Sequence, residues 1–209
     1  LNTQDYLACI VRDIHTTVVA TLDADGLPVT CAIDMMDYDA RSLYFLTARG
    51  KDFYARLKRG GYLALTGTQG ADTLQRVSVS VRGRVRELGP RLLPWLFAKN
   101  PYMHDIYPNA ASRAALTVFQ LYEGTGQWFD LSTSPVTRDT FAFGGATPKD
   151  ARYAVTGACS GCGACARVCP QGCIDTATLP ARIDARHCLC CGRCRVICPR
   201  QAICYTQGS

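Results

Sequence analysis

Residues 159–170 read CSGCGACARVCP, and residues 188–199 read CLCCGRCRVICP. Both runs follow C-x2-C-x2-C-x3-C-P, and the second repeats the first 29 residues later. A [4Fe–4S] cube offers four corner irons, each taking one soft thiolate. Two-residue spacers let one tight loop aim three sulfurs at three adjacent corners, where backbone amides can also bond the cluster. The small residues Ser160, Gly161, Gly163 and Ala164 leave room for that approach. Zinc knuckles also use C-x2-C pairs. Zinc has no need of a third cysteine at the same step, nor of two matched runs each closed by proline. The spacing favours two [4Fe–4S] clusters.

Over residues 153–206 the chain resembles the two-cluster bacterial-type ferredoxins. The resemblance implies that Cys159, Cys162, Cys165 and Cys198 hold one cluster, and that Cys188, Cys191, Cys194 and Cys169 hold the other. A domain of about fifty residues forms little apolar core, so crossed ligation of this kind ties folding to the cofactors. Cys173, Cys190 and Cys204 are left over and read as packing residues or thiols beside the ligands. His187 reads as a surface histidine beside the ligand Cys188.

The totals agree with this reading. Eleven of the thirteen cysteines lie from Cys159 to Cys204, with only Cys9 and Cys31 before them. Such clustering points to a cofactor rather than a disulfide framework. Hydrophobic residues are 48% and charged residues 19%, a globular mix. The formal charge of +6 falls to roughly +2 once two clusters of about −2 each are bound. With no block of five like charges, nucleic-acid binding is not expected. No apolar run approaches the roughly 20 residues of a membrane span. The first residues lack a secretory signal pattern, so a cytoplasmic protein is expected. Ser-His-Asp, P-loop and G-x-G-x-x-G signatures are not recognisable.

Upstream, residues 1–131 read as one β-rich domain, residues 132–150 as a linker or arm, and residues 151–209 as the ferredoxin-like domain. Thr16–Leu22 is rich in β-branched residues, and Asp25-Gly26 signals a turn before a second strand from Pro28. A polar turn at residues 38–41 precedes a strand at 42–47. Phe53, Tyr54 and Leu57 share a helical spacing that ends at Gly60-Gly61. Residues 62–66 form a short strand. Val77, Val79, Val81 and Val85 alternate with polar residues as in a half-buried strand, with Gly83 as a candidate bulge. A helix is expected near residues 92–99, and two closing strands at 116–122 and 127–131. Phe141 and Phe143 are expected to dock on another element. The fold class expected is a mainly β split barrel (α+β) with a small C-terminal 2x[4Fe–4S] ferredoxin-like domain.

Residues 21–28 (TLDADGLP), 43–47 (LYFLT) with Lys51, 81–85 (VRGRV) and 126–131 (GQWFDL) are similar to the pyridoxamine 5′-phosphate oxidase-like family of flavin-binding split barrels. This resemblance covers roughly residues 16–131 and implies FMN at the interface of a homodimer. Arg49 and Lys51 lie between a strand and a helix, where their charges and the helix amides can meet a phosphate. Thr47 and Ser78 can donate hydroxyls to it, Thr30 and Cys31 would lie along the ring, and Trp128 would pack nearby from the partner subunit. The residues that direct this family toward pyridoxamine phosphate are not recognisable, so neither substrate nor catalytic residue carries over. Family members also bind deazaflavin or haem, for which His15 and His104 are the candidate axial ligands in this domain.

Together these readings imply a flavin–iron–sulfur oxidoreductase. It would pass single electrons between two clusters and FMN, for two-electron reduction or oxidation of a small molecule. An electron donor or acceptor protein would be its partner. The alternative is a non-catalytic electron carrier or redox sensor, or a subunit of a larger redox complex, with the barrel as a dimerisation scaffold.

Overall fold

The computed structural model describes residues 1–148 and 151–206. The chain divides into two compact units. The first comprises Leu1–Gln69, Ser78–Gln127 and Phe141–Thr147; the second comprises Gly70–Val77, Trp128–Thr140 and Pro148–Ser209.

The first unit opens with α1 (Thr3–Cys9), capped by Asn2 in a reciprocal capping box with Asp5. A π-helical turn follows over Ile10–Ile14. Strand β1 (Thr16–Leu22) pairs antiparallel with β2 (Pro28–Asp34), in a register that places Val19 opposite Cys31. The Asp23 side chain accepts from the Asp25 and Leu27 amides at 2.9 Å, which shapes the loop around Gly26 (φ +80°). The polar turn expected at residues 38–41 forms part of a short strand pair instead. Here β3 (Asp37–Asp39) returns directly into β4 (Ser42–Ala48). Helix α2 (Asp52–Gly60) buries Phe53 and Leu57 and ends at Gly61 in the left-handed region (φ +58°), whose amide donates to Leu57. Strands β5 (Tyr62–Gln69) and β6 (Val77–Gly89) follow. A 3-10 turn at Pro90–Leu92 leads into α3 (Leu93–Lys99), and two one-turn helices come next, α4 (Met103–Ile106) and α5 (Ala110–Arg113).

The two expected closing strands are one, β7 (Leu116–Asp130). Gly124 and Gly126 look like breaks in the sequence, but here they make room for rings. A Cβ on Gly126 would lie 2.2 Å from the Phe141 ring, and one on Gly124 would lie 2.8 Å from Phe143. These phenylalanines sit on β8 (Thr137–Phe143), a strand that pairs with β7 inside the stretch expected to be a linker. Lys149 and Asp150, the last two residues of that stretch, lie outside the described residues. Gly83 is no bulge: the buried–exposed alternation of β6 runs through it unbroken. It is a close backbone approach, since a Cβ there would meet the Glu123 carbonyl oxygen at 2.1 Å.

The strands form one sheet in the order β2-β1-β5-β6-β7-β4-β3, with β8 on β7. The result is a barrel-like antiparallel architecture. Phe45 and Phe119, stacked at 5.7 Å, lie at the centre of its core with Leu7, Ile10, Met35 and Leu63.

The second unit is built from short elements. Strand β9 (Arg152–Val155) pairs antiparallel with β12 (Ile203–Thr206), and β10 (Ile174–Asp175) with β11 (Arg182–Ile183). Helices α6 (Ala164–Arg167) and α7 (Arg193–Ile197) begin at the left-handed residues Gly163 and Gly192, 29 residues apart like the cysteine runs. One core cluster of this unit consists of six buried residues, of which three are Cys173, Cys188 and Cys194, joined by Ile174, Ala181 and Ile203. So little hydrocarbon supplies little folding energy without a cofactor.

Candidate functional site

In the second unit the two cysteine runs fold as copies around two cavities. One is lined by Cys159, Cys162, Cys165 and Cys198. The other is lined by Cys188, Cys191, Cys194 and Cys169, with Cys173 beside them. Each takes three cysteines from one run and the fourth from the other. Backbone amides point at these sulfurs. The Ala202 amide donates to Cys198 Sγ at 3.3 Å, and the Cys190 amide to Cys188 Sγ at 3.4 Å. The Ala181 and Gly161 amides hold the Cys159 thiol below its usual range. Burial pushes the Cys169 thiol up, but amides of Cys173, Gln171 and Gly172 and the Cys173 thiol outweigh it, so Cys169 lies low as well. Burial prevails at Cys165, Cys188 and Cys194, whose thiols are raised. Such amide donors stabilise anionic sulfur.

Among the described residues, no three His, Cys, Asp or Glu side chains converge as a single metal ion requires. The donors surround a volume instead of a point. Four run cysteines around each cavity are the thiolate set that a [4Fe–4S] cube takes.

Three cysteines stand beside these sets. Cys173 Sγ is 3.5 Å from Cys169 Sγ. Cys190 Sγ lies against the Arg138 guanidinium, and Cys204 Sγ faces the Ala154 carbonyl at 3.7 Å. His187 Nδ1 is 2.9 Å from the Val136 carbonyl oxygen.

In the first unit, the end of β4 carries Thr47, and the turn from β4 into α2 carries Arg49 and Lys51. Thr47 is buried, and its Oγ1 has no hydrogen-bond partner within the chain. A buried hydroxyl without a partner is costly, so it marks a place where an acceptor belongs. Lys51 is the N-cap of α2 and gives the helix no side-chain cap, which leaves the first-turn amides open. Arg49 is drawn aside: its Nε lies 3.6 Å from Glu87 Oε1, and its Nη1 donates to the Ala114 carbonyl at 3.3 Å.

Thr30 and Cys31 are consecutive on β2, with Thr30 exposed and Cys31 half-buried, so they face opposite ways. Burial pushes the Cys31 thiol up, while the charges of Arg56 and Lys51 pull it down. Cys31, Lys51 and Arg56 thus share one electrostatic neighbourhood. Ser78 is half-buried at the start of β6, and Trp128 is buried on β7.

Two residues of this region were not singled out by sequence. Arg56 Nε donates to the buried Thr21 hydroxyl at 2.8 Å. Glu87 accepts from Thr117 at 2.7 Å, Lys58 at 2.9 Å and Tyr54 at 3.2 Å. Its burial pushes the carboxyl up, but these donors prevail and hold it below its usual range. The helical period of α2 places Arg56 one turn after Asp52, but its partner on β1 is set by tertiary packing.

Both ring nitrogens of His15 are occupied: Nδ1 is 3.3 Å from the Val11 carbonyl and Nε2 is 3.0 Å from the Tyr102 hydroxyl. His104 Nδ1 lies 3.0 Å from Arg113. Among the described residues no helix is long and apolar enough to cross a membrane.

The barrel's likeness to known folds is broad. It resembles a NimC/NimA family protein of Clostridium acetobutylicum at 12% identity and a TM-score of 0.56, covering 68% of this chain and 92% of that one. From the same organism, a protein related to general stress protein 26, of the pyridoxinephosphate oxidase family, aligns at 16% identity over 66% and 94% of the two chains with a TM-score of 0.51. A pyridoxamine 5′-phosphate oxidase-related, FMN-binding protein of Nostoc punctiforme aligns at 10% identity over 66% and 92%, with a TM-score of 0.50. At such identities the likeness is one of fold. No curated protein matches the chain. Residues 153–175 match the 4Fe-4S binding domain, which includes the first cysteine run but not the second. Such a domain beside a barrel of this kind is a combination for redox electron transfer. Residues 3–129, more than half of the sequence, match pyridoxamine 5′-phosphate oxidase, and the chain belongs to that family.

Proposed function

We propose that this protein is an oxidoreductase that binds FMN in its barrel and two [4Fe–4S] clusters in its second unit, and acts on a small molecule. The observation that carries this reading is the pair of cavities, each lined by three cysteines of one run and the fourth of the other. Bound there, the clusters exchange one electron each and FMN exchanges one or two, so electrons delivered singly serve a two-electron reduction or oxidation. Cys159, Cys162, Cys165 and Cys198 hold one cluster, and Cys188, Cys191, Cys194 and Cys169 the other. The amides aimed at these sulfurs stabilise the reduced, more negative state.

In the barrel, the unpartnered Thr47 hydroxyl, Lys51 and the open amides of α2 hold the flavin phosphate, with Arg49 at the rim. Ser78 adds a hydroxyl, and Cys31 lies beside the ring. The homodimer uses the outer face of β1 and β5, where Val18, Leu22 and Tyr62 are 50%, 58% and 47% exposed.

The test is to purify the protein without oxygen, denature it and identify the released small molecule by mass spectrometry, with iron and sulfide measured in parallel. FMN at about one per chain with iron for two clusters is the expected result. Clusters without any flavin would leave an electron carrier on a dimeric scaffold. In rapid mixing, pre-reduced clusters that pass no electrons to bound FMN would overturn the enzyme reading.

A further inference from the structure

A groove of about 1000 Å³ runs along α7 in the second unit. Its lining includes Cys191 from one cysteine set and Cys198 from the other. Each candidate cluster therefore presents one of its own sulfurs to the groove. Between these two cysteines the chain exposes Val196 at 89% and Ile197 at 47%. Tyr205, 45% exposed, adds an aromatic edge and meets the Tyr153 ring at 5.1 Å. A unit with so small an apolar core gains nothing for folding by leaving these side chains in water.

The charge around them is of one sign. Arg193 and Arg195 line the groove, and no Asp or Glu does. From residue 151 onward the sequence has seven arginines and no lysine, against two aspartates and no glutamate. Exposed apolar side chains beside guanidinium groups match an acidic protein surface. The apolar side chains supply contact area, and the planar arginine forks pair with carboxylates. Two clusters of about −2 each offset most of this excess, so the attraction for carboxylates is local to the arginines.

We infer that this groove docks an acidic one-electron carrier protein. The inference rests on the reading that the cysteine cavities hold clusters. One electron crosses per encounter: the carrier is oxidised by one, the chain is reduced by one, and no bond or proton moves. Encounters of this class are small in area and steered by charge, so they weaken as salt rises.

The test uses anaerobic holoprotein with reduced flavodoxin, an acidic one-electron carrier, as the probe. Binding is followed by titration and electron transfer by rapid mixing. The Kd is expected to rise about tenfold between about 0.05 and about 0.3 M salt. Val196→Glu, at a side chain almost fully in solvent, and Arg195→Glu are each expected to weaken binding about tenfold. Iron content and reduction by dithionite stay at the parent level. Unchanged probe binding in both variants overturns the docking site while leaving the clusters in place. A change of oligomeric state in Val196→Glu, read by light scattering, overturns it in favour of a second copy. Iron and sulfide in the parent protein below the amount for two clusters overturn the cluster reading itself, and the docking site with it.

Discussion

Arg138 Nη1 lies 2.6 Å from Cys190 Sγ, and the same nitrogen donates to the Cys188 carbonyl at 3.1 Å. Cys190 occupies the position in the second run that Gly161 holds in the first, and both are left-handed, at φ +53° and +72°. A side chain costs about 1–2 kcal/mol in that region, and its contact with Arg138 helps offset the cost. Arg138 also brings a positive charge to one cluster loop. Replacing it by methionine is expected to lower the reduction potential of that cluster by on the order of 50 mV, the equivalent of one charge-assisted hydrogen bond in a one-electron couple. A redox titration monitored by electron paramagnetic resonance should show one of two signals moving. If both move equally, Arg138 is not tied to one cluster.

Thr47→Val separates two roles of a buried hydroxyl. If a flavin phosphate accepts its hydrogen, the variant binds FMN about tenfold more weakly, a loss of about 1–1.5 kcal/mol. If nothing accepts it, removing an unpartnered polar group leaves binding unchanged and steadies the barrel. Fluorescence titration with FMN distinguishes the two.

Lys51→Met removes a charge that, in the proposed site, would meet the flavin phosphate. Affinity for FMN is expected to fall by about 1–2 kcal/mol while affinity for riboflavin, which lacks the phosphate, holds steady. Equal losses for both ligands would place Lys51 elsewhere.

Glu87 ties β6 to α2 and β7 through Lys58, Tyr54 and Thr117. Its carboxyl lies below the usual range, so its stabilisation is present above the unfolded pKa of about 4.3 and is lost as pH falls through the lower folded value. Glu87→Gln should destabilise the barrel by about 1–2 kcal/mol at neutral pH. The gap between variant and parent should narrow as pH falls below the unfolded pKa of about 4.3. Urea unfolding at several pH values reads this directly. A gap that stays constant with pH would show that the carboxylate's charge is not what counts.

Gly126→Ala places a methyl group where the Phe141 ring already sits, 2.2 Å from its nearest carbon. Phe141 stacks on Tyr6 at 4.7 Å and has little room to move. A loss of about 1–3 kcal/mol is expected in thermal unfolding, and Phe141→Leu should restore part of it.

These positions also show why some of the structure was legible and some was not. The cysteine runs could be read because spacing and thiolate chemistry are both local. The alternation of Val77 to Val85 could be read because a half-buried strand has a period of two. The continuity of β7 could not, since Gly124 and Gly126 earn their place only when Phe143 and Phe141 arrive from another strand. The same holds for Arg56 and Glu87. Each looks like an ordinary surface charge in sequence, and each is defined by partners 30 or more residues away, such as Thr21 and Thr117. Thr47 was named through the family resemblance, at the end of a strand, but its orphaned hydroxyl emerges only from the packing.

The exchange of fourth cysteines between the two cavities bears on how such a domain can be inherited. Were each run self-sufficient, either could be deleted, duplicated or lent to another protein on its own. Here a break between them strips Cys198 from one set and orphans Cys169 from the other, so a single crossover or truncation disables both centres at once. With the proposed clusters in place, the two runs would have to be passed on together.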